Sequence, residues 1–250
     1  MTDLALEPVK LIETAERLHR RVCERFPDSG LSRVGEELVK RATQAEQGCA
    51  HVKDPHRPVR MASGLIITVL VLFALWAAAV AIDDASTAAG APADWRDIPT
   101  VGEAVANELL LLGAAIWFFV SLERKRKRER VFSAMNELRT VAHLIDIHQL
   151  SKNPEYLFDE GNDTPSSPKR ELSPFLMGRY LDYCSEMLAL TGKVAALYGD
   201  AFEDAEALKA VNDLEELCIG LQRKIWQKVI LLEAREGRVS GVIPSPPEEE

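Results

Sequence analysis

The stretch Met61–Ile82, MASGLIITVLVLFALWAAAVAI, carries no charged residue in 22 positions, whereas residues 1–60 and 123–250 are densely charged. At about 1.5 Å of rise per residue such a helix spans roughly 33 Å, enough for a hydrocarbon core of about 30 Å. It is too long, and begins too far into the chain, for a cleaved signal peptide. A second apolar stretch, 101–122, is densest at Leu109–Leu112 and Ile116–Val120, with Asn107 and Glu108 near its start. The sequence thus predicts a two-span transmembrane helical hairpin, with spans at 61–82 and 101–122 and an outer loop at 83–100.

The flanks predict its orientation. Lys53, Arg57 and Arg60 precede the first span, and Arg124, Lys125, Arg126, Lys127, Arg128 and Arg130 follow the second. Between the spans, Asp83, Asp84, Asp94, Asp97 and Glu103 stand against the single Arg96. Lysine and arginine are retained on the cytoplasmic side. The expectation is a multi-pass protein of the plasma (inner) membrane with both termini cytoplasmic. A loop of about 20 residues is too short to bury a core of its own, which argues against a receptor for an external ligand. Arg124, Lys125, Arg126, Lys127 and Arg128 would lie among lipid headgroups, and anchoring of the topology accounts for them.

Within the spans, Ala74 with Ala78, and Ala77 with Ala81, stand four apart, and Gly113 and Ala114 offer dents on the other helix. Small residues at this spacing let helices approach closely in lipid. Glu108 is an intramembrane carboxylate on this reading, a candidate proton or cation site; its nearness to the loop favours an interfacial position. Thr100-Val101-Gly102 is not a potassium-channel filter, because Glu103 follows where an aromatic is needed and a second glycine is missing.

The remainder reads as helix. Leu11, Ala15, Leu18, Val22 and Phe26 recur at helical spacing from about Glu7 to Phe26, and Pro27-Asp28-Ser29-Gly30 breaks that run. Val34, Leu38, Ala42 and Ala45 mark a second helix from about Ser32 to Cys49. Residues 51–60, with Pro55 and Pro58, form a stiff connector. After the second span no proline or glycine occurs before Pro154, which predicts one helix from the bilayer through Leu150. Its Val131, Met135, Leu138, Ala142 and Ile145 alternate in steps of four and three, a coiled-coil-like seam. Apolar residues then spread around it, which points to the central helix of a cytoplasmic bundle.

Residues 154–173 read as a mobile, turn-rich link. Ser173-Pro174 supplies a cap and a first-turn proline for a helix ending at Gly199. A last helix, about Glu203 to Glu236, carries Val211, Leu214, Cys218, Leu221, Ile225, Val229 and Leu232 and stops at Gly237. Residues 238–250 form an acidic, disordered tail. The expected architecture is all-α: an N-terminal helical pair and connector (1–60), a membrane hairpin (61–122), and a helical bundle (123–237).

The mean hydropathy of −0.08 excludes a chain filled with spanning helices. Thirty basic residues against 39 acidic ones give a net charge of −9, which argues against nucleic acid as a partner. Cys23, Cys49, Cys184 and Cys218 form no C-x-x-C pair; they read as small core side chains in a reducing compartment.

The candidate polar site is His143, Asp146 and His148, set in a mostly apolar stretch. His143 and Asp146 lie about 60° apart on a helix and can touch, the carboxylate orienting the imidazole. His148 lies about 140° from His143, so the two cannot chelate one ion as an i, i+4 pair would. Fixing the bundle's register is the preferred reading, and no metal or cofactor is expected. Arg223, Lys224, Trp226 and Lys228 form a basic patch with one aromatic, suited to a membrane or a partner, with a core position for Trp226 an equal alternative. No Walker loop, G-x-G-x-x-G, G-x-S-x-G or H-E-x-x-H occurs. The balance falls against an enzyme, with His143 and Asp146 the residues such an activity would use. The expected function is a membrane-anchored helical scaffold or interaction module. Its partners are the bilayer and, through the cytoplasmic helices, a protein or a second copy of the chain. The alternative is a small oligomeric ion or proton conduit using Glu108 and the acidic outer loop.

Overall fold

A computed structural model describes residues 6–53, 64–65, 67–69, 71–73, 75–76, 79–80, 98–158, 164–166, 172–235 and 237. Among these, every regular element is a helix: α1 (Pro8–Arg25), α2 (Gly30–Lys53), α3 (Ile98–Leu150), α4 (Glu155–Phe158), α5 (Pro174–Ala201) and α6 (Ala205–Arg235). The chain divides into two compact units, one of residues 1–53 with 130–250 and one of residues 54–129.

In the larger unit, one apolar face of each helix enters a common core. α1 opens with Pro8 in its first turn and buries Leu11, Ala15, Leu18 and Val22, the face its period of three and four dictates. Phe26 closes it, its N–H donating to the Val22 carbonyl at 2.8 Å. The Phe26 ring then sets its edge against Tyr180 (centroids 5.2 Å apart) and Tyr183 (6.2 Å) of α5. Asp28 makes the turn with φ 57°, a left-handed conformation that aspartate tolerates better than most residues.

Ser29 caps α2: the Ser32 N–H donates to Ser29 Oγ at 3.1 Å, satisfying an amide that has no helical carbonyl ahead of it. The helix therefore starts at Gly30, before the Ser32 expected from its apolar stripe. α2 buries Leu31, Val34, Leu38, Ala42, Ala45 and Cys49. Arg41 of α2 forms an ion pair with Glu137 of α3.

α5 and α6 make the most extensive pairing, and α5 also packs on α1 and α2. Fourteen of the 28 residues of α5 are buried, from Met177 to Tyr198. This corrects the expectation that the end of α3 is the central helix. Leu144, Ile147 and Leu150 of α3 are exposed, while α5 carries apolar or small residues on nearly every side. Ser173 caps α5 through the Leu176 N–H at 3.3 Å. α5 passes Gly199 and ends at Ala201. Gly199 sits inside the helix against α6, where an added Cβ would stand in ordinary contact, 3.5 Å from Leu208 and 3.7 Å from Val211.

The hairpin to α6 is closed by Asp204, whose Oδ1 accepts from the Glu206 and Ala207 N–H groups at 3.2 Å each. α6 buries Ala207, Val211, Leu214, Cys218, Leu221, Ile225, Val229 and Leu232. Past its end Gly237 takes φ 74°, the left-handed cap conformation open to glycine. The expected link at 154–173 contains the single helical turn α4, whose Leu157 packs on the core.

In the smaller unit, every described residue from 64 to 80 is helical. Leu65, Val69, Leu72, Phe73, Leu75, Trp76 and Val80 are exposed, as are Leu110, Leu111, Ile116, Trp117, Phe118 and Val120 of α3. Among the described residues, no helix is long and apolar enough to cross a membrane. The described helices thus lend the expected two-span hairpin no support; residues 61–63, 66, 70, 74, 77, 78, 81 and 82 of its first span lie outside the described residues.

Candidate functional site

The three polar residues singled out in α3 separate in space. His143 is exposed and Asp146 partly so. Asp146 Oδ1 accepts from Gln149 Nε2 at 2.6 Å; among the described hydrogen bonds none joins it to His143. Gln149 is the buried polar residue of this segment, 1% exposed. Its side chain is held between Asp146 and Lys228 of α6.

Lys228 is the hub of that network. Its Nζ donates to the Gln149 carbonyl at 2.8 Å, to Gln149 Oε1 at 2.6 Å and to the Lys152 carbonyl at 3.4 Å. A helix leaves its last carbonyls without intrahelical donors, and its C-terminus favours a cation. Burial pulls the Lys228 pKa below the ordinary lysine value, with Asp146 and the Cys184 thiol pulling the other way. All three ammonium protons have acceptors, so the group ties α6 to the end of α3 and is not a free nucleophile. Cys184 beside it is 0% exposed, and burial pushes its pKa up to about 12, against the pull of Lys228. That thiol is inert at neutral pH.

His148 lies on the other side of the same helix end. Its ring rests on the first residue of α2: a Cβ on Gly30 would stand 2.0 Å from His148 Cε1. Any side chain at position 30 would therefore displace the His148 ring. Burial lowers the His148 pKa, and Arg33 and Lys152 push it the same way, so the imidazole is neutral at pH 7.

A cleft of about 450 Å³ opens over this ring. Arg25, Ser29, Gly30, His148, Ser151 and Lys152 form its polar side, and Phe26, Leu176 and Tyr180 its apolar side. None of its lining residues is acidic. The Arg25 guanidinium lies 5.7 Å from the Phe175 ring centroid, and Lys152 Nζ lies 5.7 Å from that of Tyr180.

The other expected sites fall elsewhere. Glu108 belongs to a helical stretch, but its side chain, like the acidic loop at 83–97, lies outside the described residues. In the basic run, Arg124, Lys125 and Arg126 are exposed, while Lys127 pairs with Glu123 at 3.4 Å. Of the expected patch on α6, Trp226 is 62% exposed and Arg223 and Lys224 face outward; Lys228 turns inward to α3. Among the described residues, no group of three or more His, Cys, Asp or Glu could hold a metal ion.

Sequence reasoning missed Arg25, Gly30, Gln149, Lys152 and Tyr180. The one available signal was Gln149, a polar residue at the buried spacing that follows Ala142 and Ile145. Comparison with family models, curated proteins and solved structures finds no significant match.

Proposed function

We propose that the protein is a membrane-anchored helical interaction module: residues 61–122 tether it as a two-span hairpin, and the bundle pairs with a second copy of the chain. The anchor reading is supported by the charge-free run Met61–Ile82 and the basic flank Arg124–Arg130. It is also supported by the outward apolar side chains, of which Trp117 is 73% exposed; patches of this kind on a water-facing surface are costly. On this reading both termini face the cytoplasm.

Self-pairing rests on the outer face of α6. Glu216, Ile219, Arg223, Trp226 and Ile230 share that face at steps of three and four, and all five are exposed. An antiparallel two-fold pairing centred between Ile219 and Gly220 sets Glu216 of one copy against Arg223 of the other, twice. It also packs Ile219 at the crossing point. Gly220 has nothing within 4 Å of an added Cβ, which leaves room for a close backbone approach. Isologous pairing of one patch with itself is the commonest route to a soluble-domain dimer, and opposite charges fix its register.

Reporter fusions at each end and extraction of membranes at alkaline pH test the anchor. Both ends cytoplasmic, with the chain retained in the pellet, is the expected result. Ends on opposite sides, or a chain soluble without detergent, overturns it. Crosslinking in native membranes tests the pairing. The expected dimer is lost in Glu216→Arg and regained in Glu216→Arg/Arg223→Glu; a chain that crosslinks only as monomer refutes self-pairing.

A further inference from the structure

The cleft between the α1–α2 turn, the end of α3 and the start of α5 is not used by the reading above. We propose that it binds an organic phosphate, with a phosphomonoester head held by Arg25, Lys152 and the N-terminus of α2. A small apolar or aromatic body would lie against Phe26, Leu176 and Tyr180.

Three independent features converge there. The chain carries a net charge of −9, yet the charged residues lining this cleft, Arg25 and Lys152, are both cationic. Each of these cations leans on an aromatic ring, and among the described residues no carboxylate pairs with either. Among the described residues their charge is thus positioned but not paired, a condition that suits charge-assisted hydrogen bonds to an incoming anion. Gly30 brings the first turn of the 24-residue helix α2 to the wall of the cleft. The Ser32 amide is taken by Ser29, but the Gly30 and Leu31 amides ahead of it have no helical carbonyl to bond, and the helix dipole is positive there.

The remaining wall is apolar, and a volume of about 450 Å³ lies in the range of small-molecule sites. It exceeds what a bare phosphate fills, so the ligand is an ester and not the inorganic ion. The neutral His148 imidazole, seated on Gly30, offers a further ring N–H or a lone pair to the ester.

The test is titration calorimetry on the full chain in a mild detergent, with phenyl phosphate as the probe and phenol and inorganic phosphate as comparisons. Phenyl phosphate is expected to bind with one-to-one stoichiometry and more tightly than either comparison. Arg25→Gln and Lys152→Gln should each weaken it by about tenfold or more, the usual scale for one charged hydrogen bond. Ser151→Glu places an acid at the rim from an exposed position, so its unfolding temperature should be unchanged while binding is abolished. That variant decides the matter if a substitution at Arg25 impairs folding.

Dihexanoyl phosphatidic acid separates the two sources of a phosphomonoester. Tighter binding than phenyl phosphate, with the same loss in Ser151→Glu, assigns the site to a lipid headgroup; weaker binding assigns it to a soluble ester. No binding of either ester, or binding indifferent to both Lys152→Gln and Ser151→Glu, overturns the proposal.

Discussion

Replacing Lys228 by methionine keeps most of the stem and removes the ammonium that joins α6 to the end of α3. The Gln149 carbonyl would retain one donor, the Lys152 N–H at 3.1 Å. Gln149 Oε1 would lose its Lys228 donor, in a residue 1% exposed. A hydrogen bond to a charged group contributes about 1.5–3 kcal/mol, and a buried acceptor stripped of its donor costs about 1–3 kcal/mol. Lys228 itself is only partly buried, so screening places the total near the lower end, at about 2 kcal/mol. For a unit of this size that is roughly 4–8 °C in Tm. Thermal unfolding followed by circular dichroism measures it. Gln149→Leu should cost less on top of Lys228→Met than it does alone, because its oxygen no longer has a donor to lose. A Lys228→Met chain as stable as the parent, or strictly additive effects in the cycle, would refute the assignment of Lys228 as a helix-end tie.

His148 makes stability depend on pH. Its folded pKa lies below the reference 6.5, so as pH falls through that window the unfolded chain takes up a proton that the folded chain refuses, and stability is lost. Urea midpoints compared near neutral pH and near pH 5 should show a smaller drop in His148→Gln than in the parent; equal drops would contradict the linkage. Thiol labelling of the native chain should proceed quickly at Cys23 alone, since Cys49, Cys184 and Cys218 are buried and burial raises Cys218 to about 11. Two or more fast thiols in a mass-spectrometric time course would mean that the core is looser than described. Gly48→Ala sets a methyl 2.8 Å from Tyr198 Oη and 3.2 Å from Cε1. Overpacking of about 1–3 kcal/mol then outweighs a helix-propensity gain of about 1 kcal/mol, and denaturant unfolding should show a net loss; a gain would show that the Tyr198 ring yields freely.

The stripes Leu11/Ala15/Leu18/Val22 and Val211/Leu214/Cys218/Leu221 were legible because a helical face is a local property, repeated every three or four residues. The caps were legible only in part. Ser173-Pro174 reads as a helix start by residue type, whereas Ser29 read only as part of a helix break and Asp204 fell inside the expected last helix. Gly199 misled because a glycine permits a helix to stop without requiring it, and here the helix runs on past its contact with Leu208 and Val211. The candidate site divides the same way. His148 could be named from sequence, but Gly30 beneath its ring is 118 positions away, and no local pattern carries that distance. Asp146 turned to Gln149 and away from His143 because Lys228, from another helix, fixes the Gln149 amide.

Periodicity and the placement of proline and glycine determined from sequence that the described residues are helical and roughly where those helices lie, since these are decided by neighbours within a few turns. Tertiary packing decided which helix is central, which polar groups are paired, and which cations are left around a cleft. Those outcomes depend on surfaces brought together from α1, α2, α3, α5 and α6, whose separation along the chain erases any local trace of the contact.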